Sequence, residues 1–175
     1  MIPAEVDGKK ITRIGKEAFR NCEKLTSVTM PETGITYIGK DAFAGCSSLK
    51  QITIPQGVTV IEEGAFSGCS SITEVVLPEG LTEIKQSTFI GCSSLANIQF
   101  PASLKVIGQL AFDGCERLTT IDFPAGLEEI GPIAFQECSS LTNLVLPAGL
   151  KKIGSSAFWH RIGLQGEVII PKTAE

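Results

Sequence analysis

The chain has 175 residues, 43% hydrophobic and 19% charged, enough to bury a core and too apolar for general disorder. Fifteen Lys and Arg against 19 Asp and Glu leave a net charge of −4 with no basic cluster, which argues against a nucleic-acid binder. No apolar run approaches the ~20 residues of a membrane span, and a single histidine, His160, excludes two-histidine metal motifs.

In chain order, Ile2-Pro3 resembles the end of a strand, and Val6-Asp7-Gly8-Lys9-Lys10-Ile11 reads as a turn-containing lead-in. Met1-Ile2-Pro3-Ala4-Glu5 has neither the basic nor the apolar region of a signal peptide, so a mature fragment or an engineered chain is expected. A repeat then takes over. Phenylalanine stands at 19, 43, 66, 89, 112, 135 and 158, cysteine at 22, 46, 69, 92, 115 and 138, and proline at 31, 55, 78, 101, 124, 147 and 171. Each series steps once by 24 and thereafter by 23, apart from the last proline. The columns headed by Ile14 and by Leu25 keep the same register. Three residue types locked to one period define an array of about seven units.

Within one unit, Leu95–Phe100 is rich in strand formers and predicts a short strand. Pro101 cannot donate a ladder hydrogen bond, so the strand stops there. Glycines two residues after several prolines (Gly57, Gly80, Gly126, Gly149) mark a turn. A second extended piece follows, such as Leu81–Ile84. Then comes Gly-x-x-Ala-Phe-x-x-Cys, whose Phe and Cys, three apart, suit one helical turn with both side chains inward.

A unit of 23 residues cannot bury its apolar face alone, and stacking aligns the columns into one core. The expected fold is a repeat solenoid: a right-handed, curved leucine-rich-repeat array of short strands and helical turns, about seven units of 23–24 residues, with strands about 4.7–4.9 Å apart. The whole chain, 1–175, is one domain, with a lead-in or cap over 1–10, repeats over 11–158, and a C-terminal cap or junction over 159–175. In that last segment Trp159-His160-Arg161 replaces the usual Gly-Cys-Ser, and Trp159 is expected to cover the last core layer.

The arrangement Leu49, Ile52, Ile54, Pro55, Val58, Ile61, Ala65, Phe66, Cys69, repeated over nearly the whole chain, resembles the BspA-like (Treponema pallidum-type) leucine-rich repeat. That resemblance implies a bacterial surface protein with an adhesive role toward host matrix proteins, host cells or other bacteria. It also implies that no catalytic residues are shared and that ligands differ between members. An extracellular or cell-surface location is the corresponding expectation.

The chemical suspects are few. Cysteines 23 residues apart do not match local zinc spacing, and the reading is a ladder of small, buried, inert thiols, with disulfides or a metal as the alternatives. Adjacent Glu62-Glu63 and Glu128-Glu129 point to opposite faces of an extended segment, make poor acid/base pairs and are read as solvating an outer face. No phosphate loop occurs. No enzyme, cofactor or metal is expected.

A binding surface can still be placed. Alternation in the strand before each proline sends two columns to solvent. One contains Thr53, Val76, Gln99, Asp122 and Val145, and its neighbour contains Glu74, Asn97, Thr120 and Asn143. These vary from unit to unit, as a recognition surface on a fixed scaffold requires. They include no Trp, Tyr or Arg, so an interface here would be polar. By analogy with other leucine-rich repeats this sheet is the concave one, and its partner is a protein, such as a host matrix or cell-surface protein. The competing reading is a spacer or assembly unit that self-associates through its solenoid ends, since exposed sheet edges invite pairing. Neither reading involves nucleic acid or membrane insertion.

Overall fold

A computed structural model of the chain describes residues 1–142 and 144–159. It is a β-solenoid in which each repeat of the sequence forms one turn. Two strand families recur. The post-proline family comprises Arg13–Ile14, Tyr37–Ile38 and Val60–Ile61 in one parallel sheet, then Glu83–Ile84, Val106–Ile107, Glu129–Ile130 and Lys152–Ile153 in another. The pre-proline family forms two parallel pairs, Ser27–Val28 with Gln51–Ile52, and Glu74–Val76 with Asn97–Gln99. Every pairing is in register one repeat apart, so isoleucine stacks on isoleucine: Ile14 on Ile38, Ile107 on Ile130.

The register builds the core. Phe43, Phe66, Phe89, Phe112 and Phe135 are fully buried, with Leu49, Leu95, Leu118 and Leu141 beneath them. The rings stack from Phe19 to Phe158 at centroid spacings of 5.1–5.5 Å and interplanar angles of 1–9°. Spacings slightly above the strand repeat are those of offset rings. Phe100 and Phe123, outside the main column, form a second stack and set their edges against Phe112 and Phe135 at 5.8 Å.

The expected helical turn is not formed, and no helix occurs among the described residues. The Ala-Phe-x-x-Cys segment is a chain of tight turns. Ala42, Ala44 and Cys46 donate N–H bonds three residues back, to Gly39, Asp41 and Phe43. The intervening Asp41, Phe43 and Gly45 donate instead to Glu63, Ala65 and Ser67 of the next repeat, at 3.0, 2.8 and 2.7 Å. Left-handed backbone at Asp41 (φ 53°) and Gly45 (φ 73°) turns those donors outward. An α-helix would need them for its own i→i−4 ladder. The segment is therefore a third inter-repeat ladder. It holds even Ile133 at φ 60°, a conformation that a β-branched residue rarely adopts.

One further expectation changes. Among the described residues the paired pre-proline strands end at Asn97–Gln99, and residues 119–125 form no strand. Trp159 follows Asp113 and Gln136 in its column and is 53% exposed. At the other end, Glu5–Val6 and Lys9–Lys10 pair as an antiparallel hairpin around Asp7 and Gly8, both with positive φ, as the lead-in sequence predicts. His160 lies outside the described residues.

Candidate functional site

The surface to examine is the outward side of the pre-proline strands. Inward Val28, Ile52, Val75, Ile98 and Ile121 are buried, which forces their neighbours outward. Thr53, Glu74, Val76, Asn97, Gln99, Thr120, Asp122 and Val145 are all exposed. Glu74 and Val76 pair in register with Asn97 and Gln99, so these four form one patch. Thr120 and Asp122 continue it without strand pairing, and Val145, 68% exposed, stands further along. Asn143 lies outside the described residues.

The pre-proline ladder is interrupted between Gln51–Ile52 and Glu74–Val76. An open groove of about 340 Å³ lies there, lined by Lys50, Gln51, Thr53, Gln56, Thr73, Glu74 and Val76 among others. Thr53, Glu74 and Val76 are thus brought together, whereas Lys50, Gln56 and Thr73 were missed by alternation alone. Lys50 carried a signal: it is the one charge in a column otherwise of Thr, Ala and Gln. Lys50 and Glu74 form no ion pair among the described residues.

The post-proline face contrasts with this. Its charges close on one another between repeats: Lys40 with Glu63 at 2.8 Å, Lys85 with Glu62 at 2.8 Å, Lys151 with Glu128 and Lys152 with Glu129 at 2.6 Å. Arg13 lies over the Tyr37 ring, 3.8 Å from its centroid. A hydrogen bond and the charge of Lys40 hold the Glu63 carboxyl below the ordinary carboxylate value, and Lys151 does the same for Glu128. The paired glutamates are therefore not merely solvating groups. Glu62 reaches forward one repeat and Glu63 reaches back one, so each staples a different junction.

The five buried thiols offer no chemistry. Cys46, Cys69, Cys92, Cys115 and Cys138 are buried and unbridged. Each points its Sγ at the phenylalanine carbonyl of the preceding repeat, from Cys46 on Phe19 at 3.0 Å to Cys138 on Phe112 at 3.3 Å. Burial pushes the Cys92 thiol up to about 12, and Cys69 and Cys115 upward likewise. Such thiols are neutral and non-nucleophilic at neutral pH. No cluster of metal-binding side chains occurs among the described residues.

Geometry and sequence both correspond to a known family. The profile of the BspA type leucine rich repeat region matches in six copies, over residues 6–95 and 71–175. The chain belongs to the BspA-type leucine-rich repeat family. A Treponema pallidum leucine-rich repeat protein shares 32% identity at a TM-score of 0.78, covering 87% of this chain and 70% of that one. A Bacteroides ovatus leucine-rich repeat protein shares 30% at 0.80, covering 99% of this chain and 51% of that one. A leucine-rich cell surface protein of Faecalibacterium prausnitzii shares 25% at 0.51, covering 99% and 69%. This repeat array therefore spans about half the length of the Bacteroides ovatus structure. Among curated proteins none matches. Leucine-rich repeats of this family are protein-interaction modules, and neither the family nor these relatives indicate an enzyme.

Proposed function

We propose that the chain is an adhesin-type, cell-surface interaction module that binds a host matrix or cell-surface protein through the pre-proline face. The observation that carries this reading is the contrast in polar bookkeeping between the two faces. On the post-proline face Lys and Glu side chains are engaged between repeats. On the pre-proline face the side chains of Thr53, Glu74, Asn97, Gln99, Thr120 and Asp122 make no hydrogen bond or ion pair with any described residue. They present donors, acceptors and two carboxylates on a backbone held by stacked repeats. A preorganised scaffold with free polar groups loses little conformational freedom when it binds. Surface display is supported by the relative from Faecalibacterium prausnitzii, itself a cell surface protein.

The test is binding of the purified chain to a panel of host matrix proteins beside a Gln99→Arg, Asp122→Arg double variant. One ligand should bind, and the variant should weaken it by at least about tenfold through reversed charge and lost complementarity. Its melting temperature should stay that of the parent. No binding at high micromolar concentration, or equal binding by the variant, would remove the reading.

A further inference from the structure

Going beyond that reading, we propose that the array hinges at a single junction, where residues 50–61 face residues 73–85 of the next repeat, and that the strand side opens there about the turn ladder. The pre-proline ladder divides between Gln51–Ile52 and Glu74–Val76, and the post-proline ladder divides between Val60–Ile61 and Glu83–Ile84. Both divisions fall on the same junction. At no other described junction do both ladders fail: where residues 119–125 leave the pre-proline side unpaired, Val106–Ile107 still pairs with Glu129–Ile130.

The bonds that flank the strands are missing there as well. One repeat earlier, Lys50 N–H donates to Thr26, Thr59 to Thr36 and Glu62 to Ile38. One repeat later, Ala96 donates to Thr73, Lys105 to Thr82 and Gly108 to Ile84. The counterparts at this junction, Thr73 to Lys50, Thr82 to Thr59 and Lys85 to Ile61, are not formed among the described residues. The links that cross it on the strand side each involve a side chain: Glu79 N–H on Gln56 Oε1 at 3.2 Å, and Lys85 Nζ on Glu62 at 2.8 Å. The sequence supplies a cause. In the column that follows the buried isoleucine, this is the one junction with a side chain on both sides, Glu62 and Lys85; every other has glycine on at least one. Two side chains in that place hold the backbones apart.

The turn side, by contrast, is intact. Gly64, Phe66 and Gly68 N–H reach Gln86, Thr88 and Ile90 at 3.1, 2.9 and 2.8 Å, and Phe66 stacks on Phe43 at 5.4 Å and on Phe89 at 5.5 Å. That ladder is the axis. Separating the strand edges here breaks no strand ladder, whereas the same motion one repeat away would orphan several backbone groups. Val58, Ile61, Leu81 and Ile84 are buried at the junction, so the core keeps the swing small. The groove of about 340 Å³ is the mouth of the hinge, and opening moves Lys50 and Thr53 relative to Glu74 and Val76. The hinge itself needs no partner.

Spin labels in a Cys22→Ser background test it, the other five cysteines being buried. Thr36→Cys with Lys105→Cys spans three repeat steps that include this junction, and Thr82→Cys with Lys151→Cys spans three that do not. The first pair should give a distance distribution roughly twice as broad as the second. Glu62→Gly combined with Lys85→Gly, which restores the glycine column, should narrow the first pair to the width of the second and slow exchange of the Thr82 amide about tenfold or more. Equal widths for the two pairs without the glycine changes, or a first pair that the glycines leave as broad as before, would each overturn the proposal.

Discussion

The two sheets of this solenoid carry the same period and meet the same core, yet they use their outward residues oppositely. The post-proline sheet runs in ladders of three and four strands, and the pre-proline sheet in two separate pairs. Outward Lys and Glu of the first, Glu83 excepted, are joined repeat to repeat, while outward polar groups of the second have no described partner. The lesson is that a column in register is committed either to its neighbours or to a partner. Complementary charge one period apart commits it to its neighbours.

One column of the post-proline sheet refines the comparison. After the buried isoleucine come Gly15, Gly39, Glu62, Lys85, Gly108, Gly131 and Gly154. A Cβ on Gly39 would lie 2.7 Å from the Gly15 carbonyl carbon, and one on Gly131 equally close to Gly108. Where Lys85 faces Glu62, two side chains meet, and the strand ladder divides between Val60–Ile61 and Glu83–Ile84. Glycine permits close stacking; the ion pair bridges the junction that lacks it.

The comparison can be broken at several levels. The largest loss is expected for Phe89→Ala, which empties the stack shared by both sheets and should cost about 4 kcal/mol in denaturant unfolding. A loss within the ordinary surface range would show that the ring column is not a common core. Gly131→Ala strikes only the post-proline ladder, where the neighbouring atoms are backbone and cannot swing aside. It should cost about 2 kcal/mol by overpacking, with pre-proline hydrogen exchange less affected than that of Lys152–Ile153.

The ion-pair ladder should respond to pH and salt but weakly. Glu63 and Glu128 are depressed, so their contribution is present above the ordinary carboxylate value of 4.5 and is lost as pH falls through the depressed values. Lys40 and Lys85 are raised, chiefly by hydrogen bonds to Glu63 and Glu62, so their contribution is present below 10.5 and is lost as pH rises through the raised values. Thermal melts should therefore show a plateau between these limits that drops at both ends. Glu62→Gln, breaking the less exposed pair, should cost about 0.5 kcal/mol, shrinking with added salt. Smallest of all, Asp122→Arg on the free face should change stability by less than about 0.5 kcal/mol. A larger change would mean that this column is structurally engaged after all.

How much of this was legible varies by residue. The Phe, Cys, Ile and Leu columns were visible because parallel stacking repeats an environment at a fixed period, and a repeated environment selects a repeated side chain. Outward placement of Glu74, Asn97 and Gln99 followed from their alternation with Val75 and Ile98. The pairs Lys40 with Glu63 and Glu62 with Lys85 were missed, although each is separated by one period of 23 and could have been found by that test. The helical turn was misread because Phe-x-x-Cys spacing suits both a helix and a turn ladder. Their difference is whether the N–H groups of Asp41, Phe43 and Gly45 bond within the repeat or across it, and spacing carries no such information.

Periodicity in one dimension thus specified the stacking, the core columns and the family, because each depends on which residues recur. The direction of each hydrogen bond and the break that makes the groove at Lys50 and Glu74 came from the folded chain. They depend on how one repeat sits on the next, a relation between residues about 23 apart that no local run of sequence contains.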